Sequence, residues 1–232
     1  MRPYPRVRPF GEAALLVEFG EQADLRLNAR VHALAGALEA APPAGLLSLI
    51  PGYVSLLIEV EPLEADLERL ESLLWDRLRQ VETAPRQPGR QRVIPTVFGG
   101  EWGPDLGDVA ARLGLGPDDV VARHTAAPQT VYMLGFSPGF PYLGDLPAEL
   151  ALPRRETPRE RVPLGSVAIA ERQTGIYSRE MPGGWHLLGR TPRPLFDAGR
   201  HPPAYLAPGD CVSFVPIPAS DWERYAQPAE DW

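Results

Sequence analysis

Lysine is absent from this chain: all 23 basic residues are arginine. A phosphate loop of the GxxxxGK[ST] type, a Schiff-base amine and a biotin-carrying lysine are therefore excluded within it. Cysteine is almost absent as well. The single Cys211 rules out an internal disulfide, which fits a reducing cytoplasm, and in the run CVSFVPI it is expected to face a core. No apolar run approaches the roughly 20 residues of a membrane span, and no charged-then-apolar signal segment opens the chain. The four histidines, His32, His124, His186 and His201, show no HxH, HxxxH or paired-cysteine spacing, so no metal motif is present. A net charge of −7 disfavours nucleic acid as a partner.

The charge is unevenly spread. Residues 151–200 hold nine arginines against five carboxylates, on a chain that is otherwise acidic. A cationic patch of this kind points to a small anionic ligand or an acidic partner surface. The plainer alternative is ordinary pairing with Glu156, Glu160, Glu171 and Glu180 nearby.

Hydrophobic spacing predicts an α+β organisation. Ala13–Phe19 reads as a short strand, and Asp24 caps a helix with Leu27, Val31, Leu34 and Leu38 at helical spacing. Pro42, Pro43 and Gly45 break it. Leu46–Ile50 and Val54–Val60 then form paired strands around Pro51-Gly52. Pro62 opens a second helix, with Leu63, Leu67, Leu70, Leu74, Leu78 and Val81 on one face. The order predicts a small ferredoxin-like α/β domain over residues 1–85, with a last strand possible at Arg92–Phe98. The breaker-rich run TAPRQPGRQ places a linker at 86–91. Two short helices follow, at Asp105–Leu113 and Pro117–His124. Short apolar runs at 131–136, 167–170, 175–178, 185–189 and 211–215 then predict an all-β barrel or sandwich over 92–217. The polar tail, 218–232, is expected to be partly disordered.

The segment 131–196 crowds Gly, Pro and aromatic residues together with arginine, a composition suited to tight loops holding aromatic walls around a small site. Ser137 in GFSPG lacks the nucleophile-elbow pattern, and Pro138 and Pro141 remove two N–H donors from what otherwise resembles a phosphate loop. Arg190 beside Thr191, and the pair Arg154-Arg155, offer bidentate grips for a carboxylate or phosphoryl group. Gln173 offers an amide that donates and accepts at once, and His186 follows Gly183-Gly184-Trp185 as a candidate acid or base. Phe140, Tyr142 and Trp185 are either a ligand wall or core packing.

The ordered set GFSPGFPYLGDL, PRRETPRERVPLGSVAIA, QTGIYS and PGGWHLLGRTPRPLFD, preceded by VFGGEWGPDLGDVAARLGLGPDDVVARH, strongly resembles the KipI family, also called allophanate hydrolase subunit 1. The resemblance covers nearly the whole chain except the tail. It implies a small α/β domain followed by a cyclophilin-like β-barrel. It also implies a role as the B-type component of an ATP-dependent 5-oxoprolinase that opens 5-oxo-L-proline to L-glutamate. Its partners there would be a KipA-like C-type component (PxpC) and an A-type component (PxpA), with ATP bound somewhere in the complex. In that setting Arg190, His186 and Arg155 are the catalytic candidates, and Arg154, Gln173, Phe140, Tyr142, Trp185 and Thr191 the substrate-binding ones. Two other roles are open to the family: inhibition of a sensor histidine kinase by direct binding, and carboxyl transfer as in urea carboxylase.

Overall fold

The computed structural model describes residues 4–81, 89–144 and 146–227. The chain divides into two compact units, Met1–Gln87 and Pro88–Trp232. Among the described residues, no helix is long and apolar enough to cross a membrane.

In the first unit, β1 (Arg6–Pro9), β2 (Ala14–Glu18), β3 (Leu46–Pro51) and β4 (Ser55–Val60) form one antiparallel sheet in the order β1-β2-β4-β3. Two helices, α1 (Leu25–Ala40) and α2 (Leu67–Val81), supply the other half of its core. The Asp24 carboxylate accepts the N–H groups of Arg26 and Leu27, which fixes the start of α1. Val31, Leu34 and Leu38 then meet Leu15, Val17, Leu56, Ile58 and Leu74 in one apolar cluster.

Two expectations need correction here. The fourth strand of this sheet is Arg6–Pro9, not Arg92–Phe98; the latter is within a strand, but one that belongs to the barrel. The run RVRP carries too little apolar alternation to be recognised, and it forms because β2 offers it a free edge. Helix α2 starts at Leu67 rather than at Pro62 because Asp66 accepts the N–H groups of Glu68 and Arg69, while Glu64 and Ala65 close a turn onto the Glu61 carbonyl. Leu63, expected on the buried face, is consequently 94% exposed.

The second unit is built on a closed barrel. Its strands are β5 (Gln91–Phe98), β6 (Gln129–Leu134), β7 (Pro141–Gly144), β9 (Ser166–Ala170), β10 (Gln173–Ile176), β12 (His186–Arg190) and β13 (Cys211–Pro216), ordered β10-β7-β6-β13-β5-β12-β9, with β9 pairing β10 to close the ring. Among the described strands, β13 and β5 make the one parallel pair. A two-stranded flap, β8 (Arg159–Val162) with β11 (Met181–Gly183), stands beside the barrel. Helices α3 (Leu106–Leu113) and α4 (Pro117–Thr125) pack Leu106, Val109 and Val120 against Ile169 and Leu188. An α+β chain containing a closed barrel is thus the architecture expected from the sequence.

Residues 86–88 of the expected linker lie outside the described residues, and Gln91 already belongs to β5. Within the tail, 219–225 is ordered rather than loose: a 3-10 turn and the short helix α5 (Trp222–Tyr225) lay the Trp222 ring on Trp102, centroids 4.2 Å apart. Cys211 also departs from expectation. Strand alternation sends Val212 and Phe214 into the core and leaves Cys211 half-buried beside them.

Leu74 lies fully buried between the sheet and α1. Leu74→Ala is expected to destabilise the first unit by about 2–5 kcal/mol, read as a lower midpoint in denaturant unfolding.

Candidate functional site

Strand register assembles the aromatic wall. Gly175 of β10 pairs with Tyr142 of β7 and with Ala168 of β9, which in turn pairs with Leu187 of β12. Residues two apart on a strand share a face, so Gln173 joins Gly175, while Phe140, just before β7, meets Tyr142 by ring contact. Phe140 sits edge-on to Tyr142, Tyr177 and Trp185, with ring centroids 5.0, 5.3 and 6.0 Å away. A side chain at Gly175 would collide with this set, since an added Cβ would lie 2.6 Å from Phe140 and 2.9 Å from Trp185. Phe140 and Tyr177 are buried, whereas Tyr142 keeps part of its ring in solvent.

Arg154 lies at the edge of this wall. Its side chain is 61% exposed, with Nε 4.0 Å from Glu171 Oε1. Burial pushes the Tyr142 phenol above its ordinary pKa, and the Arg154 charge works against that shift; Tyr177 feels the same two influences among others. The wall therefore offers aromatic faces, an exposed guanidinium and the half-buried amide of Gln173 together.

Arg155, the next residue, has a different role. It donates through Nη1 to Asp105 Oδ1 at 3.0 Å, and Arg159 grips both oxygens of the same carboxylate at 2.6 and 2.8 Å. Asp105 Oδ2 also accepts the Leu187 N–H at 2.7 Å, and the Asp105 N–H returns a bond to the Leu187 carbonyl. This carboxylate is only 4% exposed. Burial alone would raise its pKa, but the Arg159 hydrogen bond, the Leu187 N–H and both guanidinium charges outweigh burial and hold it below the usual value. A carboxylate that neutralises two arginines from a helix start about fifty residues upstream is a structural ion cluster, and Arg155 is engaged in it.

His186 is likewise engaged. It is fully buried, and Nε2 lies 2.9 Å from the Pro153 carbonyl, so that nitrogen carries the proton and donates. The bond pins the chain just before Arg154. Arg190 and Thr191 lie in other surroundings. The Arg190 Nε donates to the Leu164 carbonyl, and its guanidinium faces Trp222 and Trp102 at 5.4 and 5.9 Å from the ring centroids. Desolvation lowers its pKa. Thr191 is buried, its hydroxyl accepting the Arg193 N–H in a local turn.

Of the nine candidate residues, Phe140, Tyr142, Trp185, Gln173 and Arg154 thus share one wall. Arg155 and His186 support it from behind, and Arg190 and Thr191 belong to a separate group. Sequence reading missed Asp105 altogether as a site residue. The available signal was an acid in the segment GGEWGPDLGD at the mouth of a predicted helix, which reads more simply as an N-cap. In fact its side chain makes no cap bond, being turned to the arginines. Much of the expected cationic patch is also neutralised by pairing, Arg161 with Glu180 included.

Two buried groups of the second unit shape its pH dependence. His124 on α4 is fully buried against Thr174, Phe98 and Phe214, and burial lowers its pKa to about 4. Its neutral form stabilises the fold at neutral pH, and that contribution declines as pH falls from about 6.5 towards about 4. Asp105 contributes above the unfolded carboxylate value and loses its contribution as pH falls through its depressed folded pKa. Wild type is expected to lose thermal stability in these two successive stages, and Asp105→Asn to shrink the lower stage only, the remainder coming from carboxylates such as Asp24 and Glu18 that are also held below their ordinary pKa. Asp105→Ala should cost towards the lower end of about 3–5 kcal/mol, because the side chains of Arg155 and Arg159 retain 30% and 25% of their surface in water. Melting curves across pH check both.

Comparison with known proteins bears on the whole chain. The family model for the carboxyltransferase domain, subdomain C and D, matches residues 5–206. The 5-oxoprolinase B subunit of Bacillus subtilis is 37% identical over 96% of this chain and 97% of its own length, and that of Escherichia coli O157:H7 is 42% identical over 89% and 93%. The crystal structure of TTHA0988 is 40% identical and superposes with a TM-score of 0.77 over 92% of this chain, which spans only 41% of that longer protein. Urea carboxylase from Kluyveromyces lactis, 21% identical, shares the fold with a TM-score of 0.74 over 94% of this chain and 22% of its own. The motifs of the 131–196 segment and the match along nearly the full length agree: this chain belongs to the carboxyltransferase subdomain C and D family, alongside the 5-oxoprolinase B subunits.

Proposed function

We propose that the protein is the B-type component of an ATP-dependent 5-oxoprolinase, opening 5-oxo-L-proline to L-glutamate together with a KipA-like C-type partner and an A-type partner. The observation that carries this reading is the single wall that joins Arg154, Gln173, Tyr142 and Trp185. A five-membered lactam carrying one carboxylate needs a cation, an amide partner and a flat apolar face within a few ångströms of one another. Arg154 takes the carboxylate, Gln173 pairs with the lactam N–H and C=O, and the part-exposed Tyr142, braced by the buried Trp185, lies against the ring.

The lactam is a stable amide, and ATP supplies the phosphoryl group that makes its carbonyl carbon open to water. The turn that most resembles a phosphate loop does not fit a triphosphate. The glycine-bearing turn at 135–140 directs its N–H groups to its own carbonyls, Gly135 to Phe140, Ser137 to Gly135 and Phe140 to Ser137, and Pro138 has none to offer. In this reading nucleotide chemistry falls to the partner chains, and this chain binds and orients the acid. The Tyr142 phenol, held above its ordinary pKa by burial, stays protonated and donates rather than adding negative charge beside the substrate carboxylate.

The test is 5-oxoproline-dependent phosphate release by the complex reconstituted with its A-type and C-type partners. Arg154→Ala is expected to raise KM for 5-oxoproline about 10- to 100-fold with kcat changed far less, since a carboxylate grip is made in ground and transition state alike. Arg154→Lys should recover part of the loss. An unchanged KM removes Arg154 from the site, and no 5-oxoproline-dependent turnover with wild type overturns the assignment.

A further inference from the structure

The turn between β9 and β10 places a charged residue where the backbone favours glycine. Ala170 pairs with Gln173, so Glu171 and Arg172 form a two-residue turn, and Glu171 has φ +55°. At such a value glycine, asparagine or aspartate is the usual occupant, and a longer side chain is strained. The conformation is locked from outside. The Glu171 N–H donates to the Leu152 carbonyl at 2.5 Å, in an isolated bridge between the two residues. That bridge ties the turn to the segment presenting Arg154, two residues beyond Leu152. The two side chains meet there, Glu171 Oε1 4.0 Å from Arg154 Nε, and both are largely in water.

The ion cluster that holds this unit together is built otherwise, with Asp105 buried and Arg159 only 2.6 Å from it. A pair at 4.0 Å between exposed side chains contributes little to the fold. Stability therefore does not account for a carboxylate at a strained position. Its charge does have a consequence for the wall. A carboxylate beside the guanidinium weakens that cation as an anion receptor, and the penalty grows with the negative charge of the ligand. We propose that Glu171 is a specificity-determining residue: it competes with the ligand for Arg154 and favours an acid with one carboxylate over dicarboxylic acids of similar size. The inference rests on the 5-oxoprolinase reading above and deepens it, since 5-oxo-L-proline carries one carboxylate. Glutarate, a five-carbon dicarboxylate, offers Arg154 the same grip but brings twice the charge up to Glu171. Gln173, two residues further along, is neutral and cannot make this distinction.

The test reads KM for 5-oxoproline and Ki for glutarate in phosphate release by the complex reconstituted with its A-type and C-type partners. Glu171→Gln should lower KM about threefold and the glutarate Ki about tenfold, because the repulsion doubles with the ligand's charge, and added salt should narrow both differences. Glu171→Gly removes the strain together with the charge, so the free protein should melt at the same or a higher temperature while the kinetics follow Glu171→Gln. Glu171→Asp keeps the charge and should keep the wild-type ratio of KM to Ki. Glu12→Gln, at an exposed carboxylate of the first unit, makes the same change in net charge and should behave as wild type. A wild-type ratio in both Glu171→Gln and Glu171→Gly overturns this role and leaves the 5-oxoprolinase assignment standing, as does glutarate that inhibits neither wild type nor Glu171→Gln. Absence of 5-oxoproline-dependent turnover in wild type overturns both.

Discussion

One buried carboxylate organises the second unit. Asp105 accepts three guanidinium contacts and one backbone N–H, and so ties four segments together: the start of α3, β12 through Leu187, the loop at Arg155 and the flap strand β8 at Arg159. Burying a charge is costly unless its lone pairs are all met, and here geometry meets them. Lost attraction on breaking the cluster is only part of its importance, because an uncompensated charge would then remain inside. A neighbouring bond continues the same work, with Arg155 N–H bonding the Gly184 carbonyl at 2.8 Å. Arg154 and Trp185 are each chain neighbours of a residue fixed in this way, which is how a structural cluster comes to set the position of the aromatic wall.

That wall is rigid behind and open in front. Phe140 and Tyr177 are packed into the unit, and glycines at 175 and 183 leave room for rings where any side chain would collide. In front, Arg154 keeps most of its surface in water with Glu171 only at the limit of ion pairing. An exposed pair of this kind contributes little and yields easily to a better-placed carboxylate. Tyr142 and Gln173 stay partly in solvent beside Arg154, while Trp185 is buried with Phe140 and Tyr177.

Local order is legible in the sequence where a short-range rule decides it. Leu27, Val31, Leu34 and Leu38 specify α1, and Asp24 stops it fraying at the start. The barrel strands at 167–170 and 211–215 announce themselves by apolar runs between turns. Legibility fails where a partner distant in sequence decides. The run RVRP becomes a strand only because β2 has a free edge. Arg154 and Arg155 are indistinguishable as sequence, yet the carboxylate of Asp105 claims one and leaves the other exposed. Phe136 reads as one more aromatic in a Gly-Pro turn; its strained φ and exposed ring come from Ser178, some forty residues later. The family motifs bridge much of this gap for the fold, but they do not say which arginine faces a ligand.

Backbone amide exchange in Asp105→Asn, followed segment by segment by mass spectrometry, tests most directly whether the buried carboxylate holds the wall in place. The account predicts that protection falls in the peptides covering 152–162 and 183–190 while that of β2 and β4 in the first unit stays at the wild-type level. Wild-type protection throughout 152–162 and 183–190 would contradict it, and would mean that the wall stands by aromatic packing alone.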